Sequence, residues 1–366
     1  MVFVFRKTNI FNLLHIYIIH HLSFTIHHPF GEDIMNWKYV KIGLTAVLLL
    51  TLIIPTFLYV RAVDWSRQHT QRVAALPYFS NSATKGAFRL KANDLEFRVR
   101  VAGIQNKGAG VILLHGFPES SLMWQPLLEE AASQGYRVLA FDQRGYSPNA
   151  RPEKIADYHI DYLVEDVLSV ADAVGFDTFH LVGHDWGAAV GWKTVLDFPE
   201  RVRTWTALSI PHIGLFWKSV LTHPEQKKRS AYIQKLQTPY LPEILFHLNQ
   251  QKVVEGLHGK WKETEIADCL AIQREPAALT AALNWYRAVD FETIGTDTTF
   301  KSIVQRPTLY IWGSDDPVIA PDIIPQQAPL IGASYKELEI DAGHSLMQAA
   351  PELIIKEVLL HFNSFY

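Results

Sequence analysis

Cysteine is almost absent from this sequence: Cys269 is the only one in 366 residues. A lone thiol excludes an intramolecular disulfide and lacks the spaced partners of a zinc site, so Cys269 reads as a small buried hydrophobe. An excess of charge of one sign is missing too. Lys and Arg number 34 against 37 Asp and Glu, and no basic patch interleaved with aromatics stands out, which argues against a nucleic-acid partner. Histidine is plentiful, and His15, His20, His21, His27 and His28 cluster near the start. No cysteine or carboxylate alternates with them at ligand spacing, so neither a metal nor a cofactor is expected. The most informative absence is a single serine. "LVGHDWGAAVGW", residues 181–192, carries the small-x-x-x-small turn that lifts a nucleophile out of a strand and into a helix. Where most such elbows hold serine, this one holds Asp185.

What is present begins with a long apolar run, "VKIGLTAVLLLTLIIPTFLYV" at 40–60. A helix of about 20 apolar residues spans a bilayer core, so this stretch is expected to be a single-pass transmembrane anchor. Lys38 and Lys41 precede it and Arg61, Asp64 and Arg67 follow, an asymmetry too small to fix orientation. The alternative is a cleaved signal with secreted or periplasmic export, against which stand the length of the run and the lack of an A-x-A site. Residues 1–39 read as an extension outside the fold, with Met35 of "MNWKYVK" a candidate start, and residues 61–85 as a polar, irregular linker.

From there β and α signals alternate. "AFRLKANDLEFRVRVAG" has two alternating runs around Asn93-Asp94, a hairpin pattern. "GVILLHG", "YRVLAFDQRG", "DTFHLVG", "TWTALSIP", "PTLYIWGSDD" and "YKELEIDAGH" are short runs ending in turn residues, as parallel strands do. Helical spacing separates them in "SLMWQPLLEEAASQG", "DYLVEDVLSVADAVG" and "AAVGWKTVLDFPERV", and "PELIIKEVLLHF" closes the chain. Residues 212–300 break this rhythm, with helical, aromatic-rich stretches and no convincing strand. The pattern predicts an α/β protein with a doubly wound, mostly parallel sheet. Its core is expected at 86–211 and 301–366, with a helical cap inserted at 212–300.

Ligands of open parallel sheets sit at the carboxyl ends of the strands. Asp185, then Asp315-Asp316, then His344 stand at successive strand ends, in the chain order of nucleophile, acid and histidine of an α/β-hydrolase triad. The usual spacing favours Asp316 as the acid, with Asp315 the runner-up. "LLHGFPES" puts His115-Gly116-Phe117-Pro118 on the loop after a strand. There the Phe117 amide can join that of Trp186 in an oxyanion hole. "DQRGYSP" reads as a turn held by Arg144, outside the catalytic set.

"HGFPES", "DQRGY", "GHDWG", "WGSDDPVI" and "AGH" together resemble an α/β-hydrolase of the epoxide hydrolase group, over about residues 85–366. The resemblance implies that Asp185 opens an epoxide as an alkyl-enzyme ester, which water activated by His344 and Asp316 hydrolyses to a diol. It also implies two cap tyrosines that hydrogen-bond the epoxide oxygen: Tyr286 in "LNWYRA" fits one pattern and Tyr232 in "SAYIQKLQTPYLPE" the other, with Tyr240 nearby. His115, Pro118, Trp186 and Trp285 are expected to line the pocket for a small apolar epoxide. A haloalkane dehalogenase would use the same Asp, His and acid. Against it, Phe117 brings no side-chain donor where many dehalogenases place asparagine, though Trp217, Trp261 or Trp285 could serve. A non-enzymatic membrane-bound binding module is the remaining alternative.

Overall fold

The computed structural model describes residues 69–246, 248, 261–294 and 302–365. Eight strands form one sheet: β1 (Lys85–Ala92), β2 (Leu95–Ala102), β3 (Gly110–Leu114), β4 (Arg137–Phe141), β5 (Phe179–His184), β6 (Val202–Leu208), β7 (Thr308–Gly313) and β8 (Tyr335–Ile340). Their spatial order is β1-β2-β4-β3-β5-β6-β7-β8. β1 and β2 are antiparallel to each other, as are β2 and β4, while β4 through β8 run parallel. The hairpin turns at Asn93 and Asp94, both at positive φ, the pairing that a two-residue turn matched to strand twist requires.

The central strands are apolar throughout because both faces are covered. Ile112, Leu114, Leu139, Phe141 and Leu181 pack into one core cluster, and Val111, Leu113, Val138, Ala140 and Val182 into the other. β8 closes an edge with the exposed Lys336, Glu337 and Glu339, charges that discourage another strand from pairing there.

The helices are α1 (Gln125–Ser133), α2 (Ile160–Ala173), α3 (Trp186–Asp197), α4 (Ile213–Thr222), α5 (Pro224–Arg229), α6 (Ala231–Gln237), α7 (Glu263–Gln273), α8 (Pro276–Arg287) and α9 (Pro351–Ser364). Those from α4 to α8 all fall between β6 and β7, and no strand lies among the described residues of that insertion. α8 is tied to the sheet's carboxyl side, for the Trp285 indole N–H donates to the Arg144 carbonyl at 2.8 Å.

The insertion is also tied to the core by charge. Arg98 on β2 is buried, binds Asp142 and makes a two-pronged contact with Asp268 on α7 at 2.9 and 2.7 Å. Asp142, from "DQRGY", accepts as well from the amide and hydroxyl of Ser121 at 2.9 and 2.6 Å. Arg144 of the same motif binds Asp166 and the Asp157 carbonyl. Both residues thus hold the architecture.

Part of the expected linker is ordered against the fold: residues 69–74 are helical, with His69 and Val73 buried. The apolar run at 40–60 lies outside the described residues. Among the described residues no helix is long and apolar enough to cross a membrane.

Candidate active site

The strand-to-helix turn between β5 and α3 holds Asp185 at φ 51° and ψ −121°. A non-glycine residue reaches positive φ only where its surroundings impose it, and here the two flanking glycines make room. A Cβ on Gly183 would lie 2.3 Å from the Gly187 carbonyl oxygen, and one on Gly187 would lie 2.2 Å from that of Leu114. The turn is therefore pressed against itself and against the end of β3. Asp185 also sits at the N-terminus of α3, whose dipole favours a negative charge.

The two carboxylate oxygens of Asp185 face different partners. Oδ1 accepts the backbone N–H of Phe117 at 2.8 Å. Oδ2 lies 3.3 Å from Nε2 of His344. Gly116 brings the Phe117 amide this close, because a Cβ there would stand 2.5 Å from Oδ1. Phe117 and Pro118 are joined by a cis peptide. Trp186 is the first residue of α3, where a backbone N–H has no partner inside the helix.

His344 follows β8, and its Nδ1 lies 2.9 Å from Oδ2 of Asp316 in the loop after β7. Of the two candidate acids it is Asp316 that touches His344; it is buried, whereas Asp315 is exposed. Oδ1 of Asp316 accepts the Val318 amide at 2.7 Å. Burial works against the charge on each partner of the pair. Even so, Asp316 and then Asp185 hold His344 well above its ordinary value. In return, His344 together with the hydrogen bonds from Ser209 and Val318 holds Asp316 below the usual carboxylate range.

Tyr286 is buried on α8, its ring edge-on to Phe117 at 5.4 Å and to Trp186 at 5.1 Å. Tyr232 on α6 lies 6.2 Å from it, ring centre to ring centre. Burial first, then Tyr232 and Asp185, raise the Tyr286 phenol well above its ordinary value. Burial, Asp185 and Asp316 raise that of Tyr232. Both hydroxyls therefore stay protonated and able to donate at any working pH. Tyr240 points elsewhere, being 79% exposed.

Asp185, Trp186, Tyr232 and Tyr286 line one narrow cavity of about 20 Å³, together with Ile210, Phe216 and Trp217. A second cavity of about 230 Å³ shares Trp186 and Trp217 with it and adds Trp285, Val289 and Asp290. Trp186 thus lines both cavities and Trp285 the larger one. His115 and Pro118 line neither cavity. His115 is wholly buried, its Nε2 accepting the Gln143 amide at 3.1 Å and its ring edge-on to Tyr146. Among the described residues no group of His, Cys, Asp and Glu is arranged to hold a metal ion.

Two features were not read from the sequence. Ser209, at positive φ just past β6, places its hydroxyl 2.6 Å from Asp316 Oδ2 and 2.8 Å from His344 Nδ1. The available signal was its position, since β6 lies between β5 and β7 and a polar residue at its carboxyl end must face the same site. The other is His184, which lies 2.9 Å from Glu119 through Nδ1 and 2.8 Å from the His344 carbonyl oxygen through Nε2. Gln348 donates to the far oxygen of Glu119 at 3.0 Å. The backbone that carries His344 is thereby fixed by the residue preceding Asp185.

The alpha/beta hydrolase fold family matches residues 111–348. Human "Epoxide hydrolase 4" is 31% identical over 281 residues, covering 73% of this chain and 76% of that protein. "Epoxide hydrolase A" of Mycobacterium tuberculosis is 32% identical over 295 residues, covering 69% and 90%. Among solved structures, one of the "novel epoxide hydrolases" from metagenomes of hot environments superposes with a TM-score of 0.67 at 27% identity, covering 76% of this chain and 99% of that one. Epoxide Hydrolase A from Mycobacterium thermoresistibile shares the fold at a TM-score of 0.68 and 24% identity, covering 77% and 99%.

Proposed function

The chain belongs to the alpha/beta hydrolase family, is of the epoxide hydrolase type and acts on epoxide ether bonds; from that premise we propose that Asp185 does so through a covalent ester. A carboxylate is ionised at neutral pH and needs no base to attack carbon. Oδ2 of Asp185 displaces the epoxide oxygen, and the breaking C–O bond leaves its electron pair on that oxygen. Tyr286 and Tyr232 donate to it, and one of them protonates the alkoxide, which is far more basic than a phenolate.

Hydrolysis follows. Once Asp185 is an ester it is neutral, so one of the two charges that raise His344 is gone; its imidazolium gives up a proton, which ends on the tyrosinate left by ring opening, and the imidazole becomes a free base. Nε2 takes a proton from water as the hydroxide adds to the Asp185 carbonyl carbon. Negative charge then gathers on Oδ1, where the Phe117 amide, joined by that of Trp186, stabilises it; losing one such donor typically costs about 10²–10³ in rate. Collapse restores the carboxylate and frees the diol. Of the two protons of the water, one ends on the released hydroxyl and the other restores the His344 imidazolium.

The single observation that carries this reading is the division of labour at Asp185, with Oδ1 on an amide donor and Oδ2 on the His344 base. The tyrosines in the same cavity favour an oxygen over a halide leaving group. His344→Gln should complete the first step and stall. Mixed with terminal epoxides, internal epoxides and haloalkanes in parallel, it should gain the full mass of an epoxide, while the wild type yields the diol. Halide release with no diol would move the assignment to a dehalogenase, and an inert, folded wild type to a binding module. From the sequence alone we also infer that residues 40–60 anchor the chain in a membrane, and that an apolar epoxide is the substrate.

A further inference from the structure

Exposed large apolar side chains are mostly scattered singly over the described surface, but one stretch gathers them. Tyr240, Leu241, Ile244, Leu245 and Leu248 are between 49 and 79% exposed. Residues 241–246 are helical, and the three- and four-residue spacing of 241, 244 and 248 sets those side chains on one face. The opposite face is committed to the fold. Phe246 is buried with its ring edge-on to Phe117 at 5.5 Å, and Glu243 binds Arg287 at 2.9 Å and Thr280 at 3.1 Å on α8. This element therefore shows apolar side chains outward while its inner ring touches the residue whose amide holds Asp185.

An apolar face of this kind marks an interaction surface, and the course of the chain indicates which. The 40–60 run ends nine residues before His69, a gap that extended backbone spans by no more than about 30 Å. Thr70 then donates to Glu275, the residue that starts α8, at 3.4 Å. Glu243 grips the same helix at Thr280, five residues and about 7.5 Å further along. The helical stretch that begins at His69 and the apolar element thus both meet the fold along one helix. Exposed Lys227, Lys228 and Lys235 stand on the neighbouring α5 and α6, where they suit anionic headgroups.

We propose that residues 240–246 and 248 form an interfacial element whose outward side chains enter the headgroup–acyl boundary of a bilayer, so that the insertion beside Asp185 faces lipid. Such an element lies in the interface plane with its apolar face immersed by about 5–10 Å. An epoxide dissolved in that boundary then reaches the cavity without crossing bulk water. The proposal rests on the reading of 40–60 as an anchor, and the test keeps the two apart.

The full chain is made as Cys269→Ala, with a bimane label on Ile244→Cys or, as control, on Asp177→Cys in the loop entering β5, at the amino ends of the strands and away from Asp185. Each is reconstituted in phosphatidylcholine–phosphatidylserine vesicles containing lipids with a nitroxide at a shallow acyl position. Emission from position 244 should fall several-fold and that from 177 should not. Unquenched 244 in chains that stay with the vesicles through an alkaline carbonate wash overturns the interfacial element and leaves the anchor standing. Chains washed free and unquenched overturn both. Cross-linking of 244 to 244 between copies without quenching also overturns it, in favour of a protein partner. Diol formation by the same vesicles is scored separately, so failure of the surface is not confused with failure of the chemistry.

Discussion

The two halves of the site are built differently. On the sheet side, Asp185, Asp316 and His344 stand at the ends of β5, β7 and β8, each on a turn braced by backbone hydrogen bonds or by glycine contact. On the helical side, Tyr286 and Tyr232 are held by edge-on aromatic rings and by α6–α8 packing, with Gln237 donating to the Tyr286 and Val289 carbonyls. The sheet side offers fixed charges and amide donors. The helical side offers neutral phenols in an apolar wall. An enzyme that first opens a ring and then hydrolyses an ester needs both, and the difference teaches which half serves which step. On the proposed mechanism, ring opening depends on Asp185 and the tyrosines, whereas ester hydrolysis depends on His344, Asp316 and the Phe117 amide.

The comparison can be broken most severely at Asp185, the residue that the proposed mechanism bonds to the substrate carbon. Asp185→Ala should lower kcat by about 10⁵-fold or more, as loss of a covalent nucleophile does, and leave no adduct in the mass spectrum. A variant that retained turnover would show that the carboxylate is not the nucleophile. Asp316→Asn should act on the second step alone, by about 10²–10⁴, with pre-steady-state adduct formation near normal. The same change removes a charge that raises His344. The imidazole is then neutral at lower pH, and the acid limb of ester hydrolysis should move down the pH scale. A limb that stayed in place would assign it to another group.

Tyr286→Phe sharpens the comparison from the other side. It should slow adduct formation by about 10²–10³, the range for one lost donor at a developing oxyanion, and leave hydrolysis of a preformed ester unchanged. Equal slowing of both steps would make Tyr286 a packing residue. The smallest effect on chemistry is expected at the joint between the halves. Asp268→Asn breaks the contact with Arg98, and removing one partner of a buried pair costs about 3–5 kcal/mol, read as a lower urea midpoint. Asp268 is about 15% exposed, which puts the loss at the low end. Burial raises the Asp268 carboxyl, but Arg98 more than offsets it and holds the group well below its ordinary value. That stabilisation is present above the ordinary carboxylate pKa and is lost as pH falls toward the lowered one, so wild type and variant should converge in acid.

How far each half was legible follows from what fixes it. The elbow glycines, the Asp316 loop and His344 obey local rules of backbone geometry, and such rules leave motifs in sequence. The mostly parallel sheet followed from periodicity for the same reason, whereas the spatial order of its strands did not. Ser209 left no motif. Its role comes from β6 lying between β5 and β7, a nonlocal fact, and so does the Glu119–His184 contact, which joins residues 65 apart. His115 was misread because it stands beside the oxyanion residue in sequence, whereas its ring turns inward to Gln143 and Tyr146. The arginine and aspartates that join α7 to the sheet could not be paired from sequence, since Arg98 and Asp268 are 170 residues apart. Tyr232 needed the fold as well, because only the turn of α6 separates it from the exposed Tyr240.

The central claim is that an oxygen of Asp185 becomes an oxygen of the diol, and it can be followed atom by atom. Excess enzyme in ¹⁸O-water is given less than one equivalent of epoxide, and both the diol and the peptide containing Asp185 are weighed. The account predicts an unlabelled diol from this first turnover and one ¹⁸O in the Asp185 carboxylate. A diol carrying ¹⁸O beside an unlabelled Asp185 would mean that water attacks the epoxide directly, and the account would be wrong.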